Sequence, residues 1–295
     1  MTTAQQIEEM FPLVSYEEER ARSGCVLLGQ EREHRELCSG VTYTKRLCKR
    51  GDGRMTALYL TRIEPDAQAR ITVSACEHGT LKHVKQHAEE FAGNVLFAMN
   101  AGYFHFFNNG DRTPYGIQIV QGEVRKAPGL DKVQYSSNFF GITFDGMPLI
   151  ADTERYFAEL EGKLRCAVGG GLRLIKQGAV TLHNDESVAP RTAVGITKDG
   201  AVILLCADGR SKRSAGLSYA DLIDIYLQLD ENMAELLNLD GGGSTCAVLR
   251  DKNGGYFVDN VPSGPPTPDQ PAQEPFLDTQ ARPVADAILI AALQA

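Results

Sequence analysis

Three segments of the sequence leave an apolar run through a short polar residue and a glycine. "VILLCADGR" ends in Asp208, Gly209 and Arg210, and "LFAMNAGYF" ends in Asn100, Gly102, Tyr103 and Phe104. "NLDGGGST" carries Asp240, Gly241, Gly242, Gly243 and Ser244. A fourth run, "PRTAVGIT", opens on Arg191 and Thr192. If these strands are neighbours, their ends form a crevice of the kind in which ligands bind at sheet ends. Asp208 and Asp240 are candidate acids, bases or nucleophiles. Arg191, Arg210 and Arg282 offer planar forks suited to phosphate or carboxylate. The bare amides of Gly241, Gly242 and Gly243 could add an anion-binding nest. Tyr103, Phe104, Phe106 and Phe107 could cover the apolar face of a sugar, a duty that falls to Tyr and Phe because the chain has no Trp. Pooled, these groups suit a phosphorylated carbohydrate. Singly, each arginine also fits a surface ion pair and "DGGGS" a tight turn; the repetition points to a site.

Other chemistries find less support. No P-loop, G-x-G-x-x-G, H-E-x-x-H or G-x-S-x-G pattern is present. His83 and His87 have the spacing of helical metal ligands but lack a third partner nearby, and they read as two surface histidines. No metal or other cofactor is therefore expected. A formal charge of −8 argues against a nucleic-acid partner. The seven cysteines form no C-x-x-C pair; several, such as Cys206 and Cys246, sit in apolar runs and read as small buried hydrophobes, which suits a reducing compartment. The N-terminus has no apolar signal core, and no stretch reaches the roughly 18–20 apolar residues of a membrane span. A cytoplasmic protein is the reading of the sequence as given, with secretion or the cell envelope the alternative if a leader was removed. Nothing in the residues sets the oligomeric state.

The elements that must position these groups are mostly strands. Segments 53–65, 70–76 and 94–100 read as strands, and 139–150 as a hairpin turning at Asp145-Gly146. Segment 80–91 has helical spacing, with Leu81, Val84, Ala88 and Phe91 on one face. A second helix over 218–229 is N-capped by Ser218 with Asp221 three residues on. The Pro-rich stretch 262–281 reads as a loop inserted within one domain, because "RPVADAILIAAL" after it looks like core. The expected architecture is α+β or mixed α/β: residues 1–40 as an N-terminal extension, then a single domain, 41–295, built on a mixed, largely antiparallel twisted sheet with a few packed helices.

In order and spacing, "NAGYF" (100–104), "YGIQIVQGEV" (115–124), "FFGITFDG" (139–146), "PRTAVGIT" (190–197), "ADGR" (207–210), "GLSYADLIDIYL" (216–227), "NLDGGGST" (238–245) and "RPVADAILI" (282–290) resemble the phosphodiester glycosidase family. The resemblance runs from about Val41 to Leu293. It implies hydrolysis of a sugar-1-phosphodiester, such as a GlcNAc-1-phosphodiester, at the anomeric carbon, giving free sugar and a phosphomonoester. It also implies one mixed α/β domain whose motifs line one cleft. Asn100, Gly102, Arg191, Thr192, Asp208, Gly209, Asp240, Gly241, Gly242, Gly243 and Ser244 fall on the family's motifs. The chain departs from the family's secreted members in lacking a visible leader and disulfides, and in the length of segment 262–281.

The mechanism expected on this basis has Arg191 and Arg210 holding the phosphodiester. Asp240 activates water or acts as nucleophile at an oxocarbenium-like centre, and Asp208 orients or assists. A pair of carboxylates about 5–5.5 Å apart would imply retention, and about 6.5–9.5 Å inversion. Two rivals remain: a non-catalytic module that binds phosphorylated glycans in a cell-envelope or phage assembly, and a metal-dependent phosphodiesterase cutting P–O, with Asp208 and Asp240 among its ligands.

Overall fold

The apolar runs form strands that are buried on both faces. In Val202–Ala207, the side chains of Val202, Leu204 and Cys206 enter a central core, while Ile203, Leu205 and Ala207 face the layer that holds the helix Tyr219–Leu229. Burial on both sides explains why the run is continuously apolar and not alternating. A computed structural model describes residues 3–77, 79–105, 112–129, 133–185, 187–263 and 281–293.

Those residues build three sheets, of nine, five and five strands, around the central core. The large sheet runs Met55–Ile63, Val202–Ala207, Arg191–Thr197, Met233–Asn238 through its middle. A second sheet is centred on Val95–Asn100, which lies between Ala247–Arg250 and Asp286–Ala292. The third is centred on Asn138–Thr143 and Leu164–Gly170.

Every strand pairing among the described residues is antiparallel, so the expected mixed sheet is corrected to three antiparallel ones, and the fold is richer in strand than the α+β expectation. The misleading feature is the helix Tyr219–Leu229, which joins two buried strands as in a parallel crossover. Here Arg191–Thr197 lies between those strands and pairs antiparallel with both.

The helix itself starts as its sequence dictates. Ser218 Oγ accepts from the Asp221 amide at 3.1 Å, and Asp221 Oδ2 accepts from the Ser218 amide at 2.8 Å. The other helix is shorter than expected, Val84–Glu89, though Val84 and Ala88 are buried as its face predicts. The hairpin of Asn138–Thr143 and Pro148–Asp152 turns where Gly146 takes φ +91°. Residues 1–40, expected as an extension, include Glu33–Cys38, which pairs with Val41–Lys49 at the edge of the large sheet. Within the same segment, Tyr16 Oη and the Cys25 amide both donate to Asp224 on the Tyr219–Leu229 helix, at 2.6 and 2.7 Å. The tip of the aromatic loop, with Phe106 and Phe107, and positions 264–280 of the Pro-rich stretch lie outside the described residues.

One reading of a side chain changes. His87 is not a surface residue but 1% exposed, its ring against Ser74 Oγ at 2.9 Å, and burial pushes its pKa down to about 4. Among the described residues no three His, Cys, Asp or Glu side chains gather as a metal-ligand set. All seven cysteines are free thiols, Cys206 and Cys246 fully buried as expected. No helix among the described residues is long and apolar enough to cross a membrane.

Candidate functional site

The strand ends named in the sequence meet. Val202–Ala207 and Met233–Asn238 flank Arg191–Thr197 and run antiparallel to it, so their C-terminal ends lie beside Arg191. Val95–Asn100 arrives from the second sheet, and Asn100 joins the two. Its Nδ2 donates to the Asp240 carbonyl at 2.5 Å, and its Oδ1 accepts from Thr192 Oγ1 at 3.0 Å and from the Cys246 amide at 3.1 Å. The Asp240 amide donates to the Ala101 carbonyl at 3.0 Å. With its main chain fixed from both sides, Asp240 opens into a cavity of about 540 Å³.

Arg191, Arg210, Arg282, Tyr103, Phe104 and the glycines 241–243 line the same cavity. The Asp240 carboxylate accepts a short hydrogen bond from Ser244 Oγ, and Arg282 Nη2 lies 3.6 Å from its Oδ2. Arg282 also donates to Ser244 Oγ from Nε at 3.0 Å and from Nη2 at 2.5 Å. Burial nevertheless outweighs these contacts and pushes the Asp240 pKa up to about 6. Arg191 is braced by the Leu217 carbonyl at 2.9 Å and the Ser187 carbonyl at 2.6 Å, with its guanidinium 4.3 Å from the centre of the Tyr219 ring. Arg210 differs. Its Nη1 is buried without a hydrogen-bond partner among the described residues. Burial, then Arg282 and Arg191, lower its pKa. An orphaned cationic donor beside two further guanidinium groups is a combination whose chemistry suits an anion.

The glycines answer first to the protein's own contacts. A Cβ on Gly241 would stand 2.5 Å from the Pro190 carbonyl, and Gly242, at φ +58°, would bring its Cβ 3.2 Å from Arg210 Nη2. The Gly242 amide already donates to the Pro190 carbonyl at 2.8 Å, so it is not a member of the expected anion nest. Close approach to bare backbone is real, and the group that approaches is Arg210.

Several expected residues stand behind the cavity instead of lining it. Asn100 and Thr192 are fully buried and act through the contacts above. The Gly102 amide donates to Asp286 Oδ1 at 2.7 Å. Gly209 lets the Gly216 and Pro190 backbones approach, its Cβ position being 2.7 Å from Pro190 N. Asp208, expected beside Asp240, is not among the cavity-lining residues. It shares the inward face of its strand with Cys206, and its oxygens accept from Tyr59 Oη at 2.9 Å, Asn260 Nδ2 at 3.1 Å and the Val261 amide at 3.0 Å. Burial lifts its pKa to about 6 as well.

The cavity includes groups the sequence reading missed. Tyr103 and Tyr135 stack with centroids 4.6 Å apart, and Tyr115 lies 5.9 Å from Tyr135 and 4.0 Å from His105, forming one aromatic wall. Tyr219 and Asp185 also border it. Tyr219 was within reach of sequence reasoning, since it follows the Ser218 cap at a helix start near the strand ends. Tyr135 and Asp185 lie in segments with no local pattern. Asp286, outside the cavity lining, falls within the "RPVADAILI" motif but is not singled out there.

Comparison with known proteins identifies the family and the fold. The sequence profile of the phosphodiester glycosidase family matches residues 93–291. Human N-acetylglucosamine-1-phosphodiester alpha-N-acetylglucosaminidase is 25% identical over 236 residues, covering 70% of this chain and 42% of that protein. The cattle enzyme of the same name is 26% identical over 191 residues, covering 55% of this chain and 33% of that protein. The chain thus spans less than half the length of these curated relatives. The catalytic domain of the zebrafish enzyme of that name, auto-inhibited by its pro-peptide, superposes with a TM-score of 0.64 at 21% identity, over 92% of this chain and 88% of that one, a likeness of fold. With its profile matched across both sheets that meet at the cavity, the chain belongs to the phosphodiester glycosidase family.

Proposed function

We propose that this chain hydrolyses the anomeric C–O bond of a sugar-1-phosphodiester, of the GlcNAc-1-phosphodiester type, releasing free sugar and a phosphomonoester. The observation that carries the proposal is the unpartnered Arg210 Nη1 in the same cavity as the buried Asp240 carboxylate. Arg210 receives the phosphate, with Arg191 and Arg282 adding positive charge from braced positions. The Tyr103–Tyr135–Tyr115 wall offers stacking surface to a sugar ring.

With a pKa near 6, Asp240 is mostly ionised at neutral pH. It therefore serves as base toward water, or as nucleophile, at the oxocarbenium-like centre. Ser244 and Arg282 bind its Oδ2 and thereby orient the whole carboxylate. Phosphate departs readily while held by guanidinium groups, so the reaction needs no strong acid. Asp208, turned into the core, has no part in this mechanism beyond holding its strand end.

Hydrolysis of a GlcNAc-1-phosphodiester in ¹⁸O-labelled water, with and without a chelator, tests the reading. Label on the anomeric hydroxyl and indifference to chelator are expected. Label in the phosphate, or loss of turnover with chelator, would favour the metal-dependent phosphodiesterase, and binding without turnover the glycan-binding module.

A further inference from the structure

Asp286 is a carboxylate that the proposed reaction does not use. It opens the strand Asp286–Ala292 and is 1% exposed. Its Oδ1 accepts from the Gly102 amide at 2.7 Å and its Oδ2 from Gln118 Nε2 at 2.9 Å. Both donors are neutral, and no cation pairs with it among the described residues. Burial pushes the Asp286 carboxyl upward, while the two N–H donors, one on each oxygen, favour its ionised form. Burying that charge without a counter-charge is costly. An asparagine could accept from Gly102 at less cost, so the acid itself calls for a reason.

The neighbours supply one. Gly102 follows Ala101, whose carbonyl holds the Asp240 amide, and Asn100, whose Nδ2 holds the Asp240 carbonyl. Tyr103, the next residue, stacks in the cavity wall and accepts from Asn238 Nδ2 at 2.6 Å. A Cβ on Gly102 would stand 3.2 and 3.3 Å from the two Asp286 oxygens, so carboxylate and backbone are in direct contact. The strap 100–103 is thus pinned from behind by Asp286 and carries Asp240 and Tyr103 in front. On its far side, Gln118 borders a second cavity of about 530 Å³.

Resting on the hydrolase reading, we propose that Asp286 is a positioning residue: it clamps the Gly102 strap that seats Asp240 and Tyr103, and it sets a like charge behind Asp240. Arg191, Arg210, Arg282, Asp185, His105, Tyr103, Tyr115, Tyr135 and Tyr219 share the cavity with Asp240, and Asp286 lies behind the strap. Cys76 is the titratable neighbour on the other side of Asp286. Asp286 acts on Asp240 in the direction of a higher pKa, against Arg282 and Arg210.

The test compares Asp286→Asn, which keeps an acceptor for Gly102, with Asp286→Ala, which keeps none. Both remove the charge, so in both the acid limb of the pH profile of kcat/KM should move to lower pH, by on the order of one unit. The Asn variant should retain kcat better than the Ala variant, because only it still clamps the strap. An acid limb that stays in place in both would reduce Asp286 to an ordinary core residue and overturn the proposal. Carboxyl ¹³C NMR titration of Asp240, assigned with Asp240→Asn, reads the same shift without turnover. A protein with no hydrolase activity but a moved Asp240 titration would therefore sink the hydrolase reading and leave Asp286 in place.

Discussion

Asp208 and Asp240 end two strands that flank the same neighbour, Arg191–Thr197, and each is followed by glycine. Both are buried and burial raises both to about the same pKa, yet only one opens into the cavity. The difference is one of register. Asp208 is still on the ladder, its amide donating to the Ala57 carbonyl, and its side chain points inward with Cys206 to meet Tyr59, Asn260 and Val261. Asp240 lies one residue further past its strand, its amide already taken by Ala101, which follows a strand of another sheet. The same residue type at two strand ends gives a buried hydrogen-bond acceptor in one place and a cavity-facing carboxylate, the proposed reacting group, in the other. Raised proton affinity marks burial; access to a cavity is what separates the two.

This contrast can be broken by mutation. Asp240→Asn should lower kcat/KM by roughly 10³-fold or more, whereas Asp208→Asn should leave it within a small factor, because Asn still accepts from Asn260 and Val261. Equal losses in steady-state assays would erase the distinction. In stability the order reverses: Asp208→Ala strands Tyr59 Oη and the Val261 amide and should cost about 3 kcal/mol in chemical denaturation, and a neutral outcome would deny it the role of a structural acceptor.

The pH dependence follows from the sign of the shifts. Because burial raises both carboxyls, the native state holds their protons more tightly than the unfolded chain. Stability should therefore fall as pH rises from about 4 to about 6 and level off above, each group contributing on the order of 3 kcal/mol. Asp240→Asn should flatten part of that slope and unfold at a higher temperature than wild type at pH 8, but not at pH 4. Turnover should rise through pH about 6 as Asp240 ionises. Arg210→Ala should reduce kcat/KM about 10–100-fold, with Arg210→Lys a poor substitute because it lacks the planar fork; full activity in either would remove the phosphate assignment. Smallest of all, Gly242→Ala should cost about 1–2 kcal/mol through its left-handed backbone, and should raise KM by displacing Arg210.

Local patterns made much of this legible. The cap at Ser218, the Asp145-Gly146 turn and the apolar runs before Asn100, Asp208 and Asp240 each announce an element through chemistry that acts over a few residues. Order and spacing of the motifs carried the family, and with it the positions of Arg191 and Asp240, while Arg210 came from the pooled chemistry of the strand ends. What stayed hidden depends on contacts between distant segments. Nothing near Asp208 in sequence says that Asn260 and Val261 will close over it. Nothing near Asp286 says that its strand face will meet Gly102, and His87 reads as exposed until Ser74 and Cys76 cover it. The sheet type turned on a near neighbour, since Arg191–Thr197 forms a hairpin with Val202–Ala207 and then also pairs antiparallel with Met233–Asn238 beyond the helix.

Arg210 adopts φ +58°, a backbone conformation that suits glycine and asparagine far better than a long side chain. Together with the buried carboxylate of Asp240, it means that the proposed phosphate donor and the proposed reacting group both sit where the molecule is locally ill at ease. Breeding this protein for heat tolerance alone would favour Arg210→Gly and Asp240→Asn early, and on the hydrolase reading would yield robust proteins that have lost their trade.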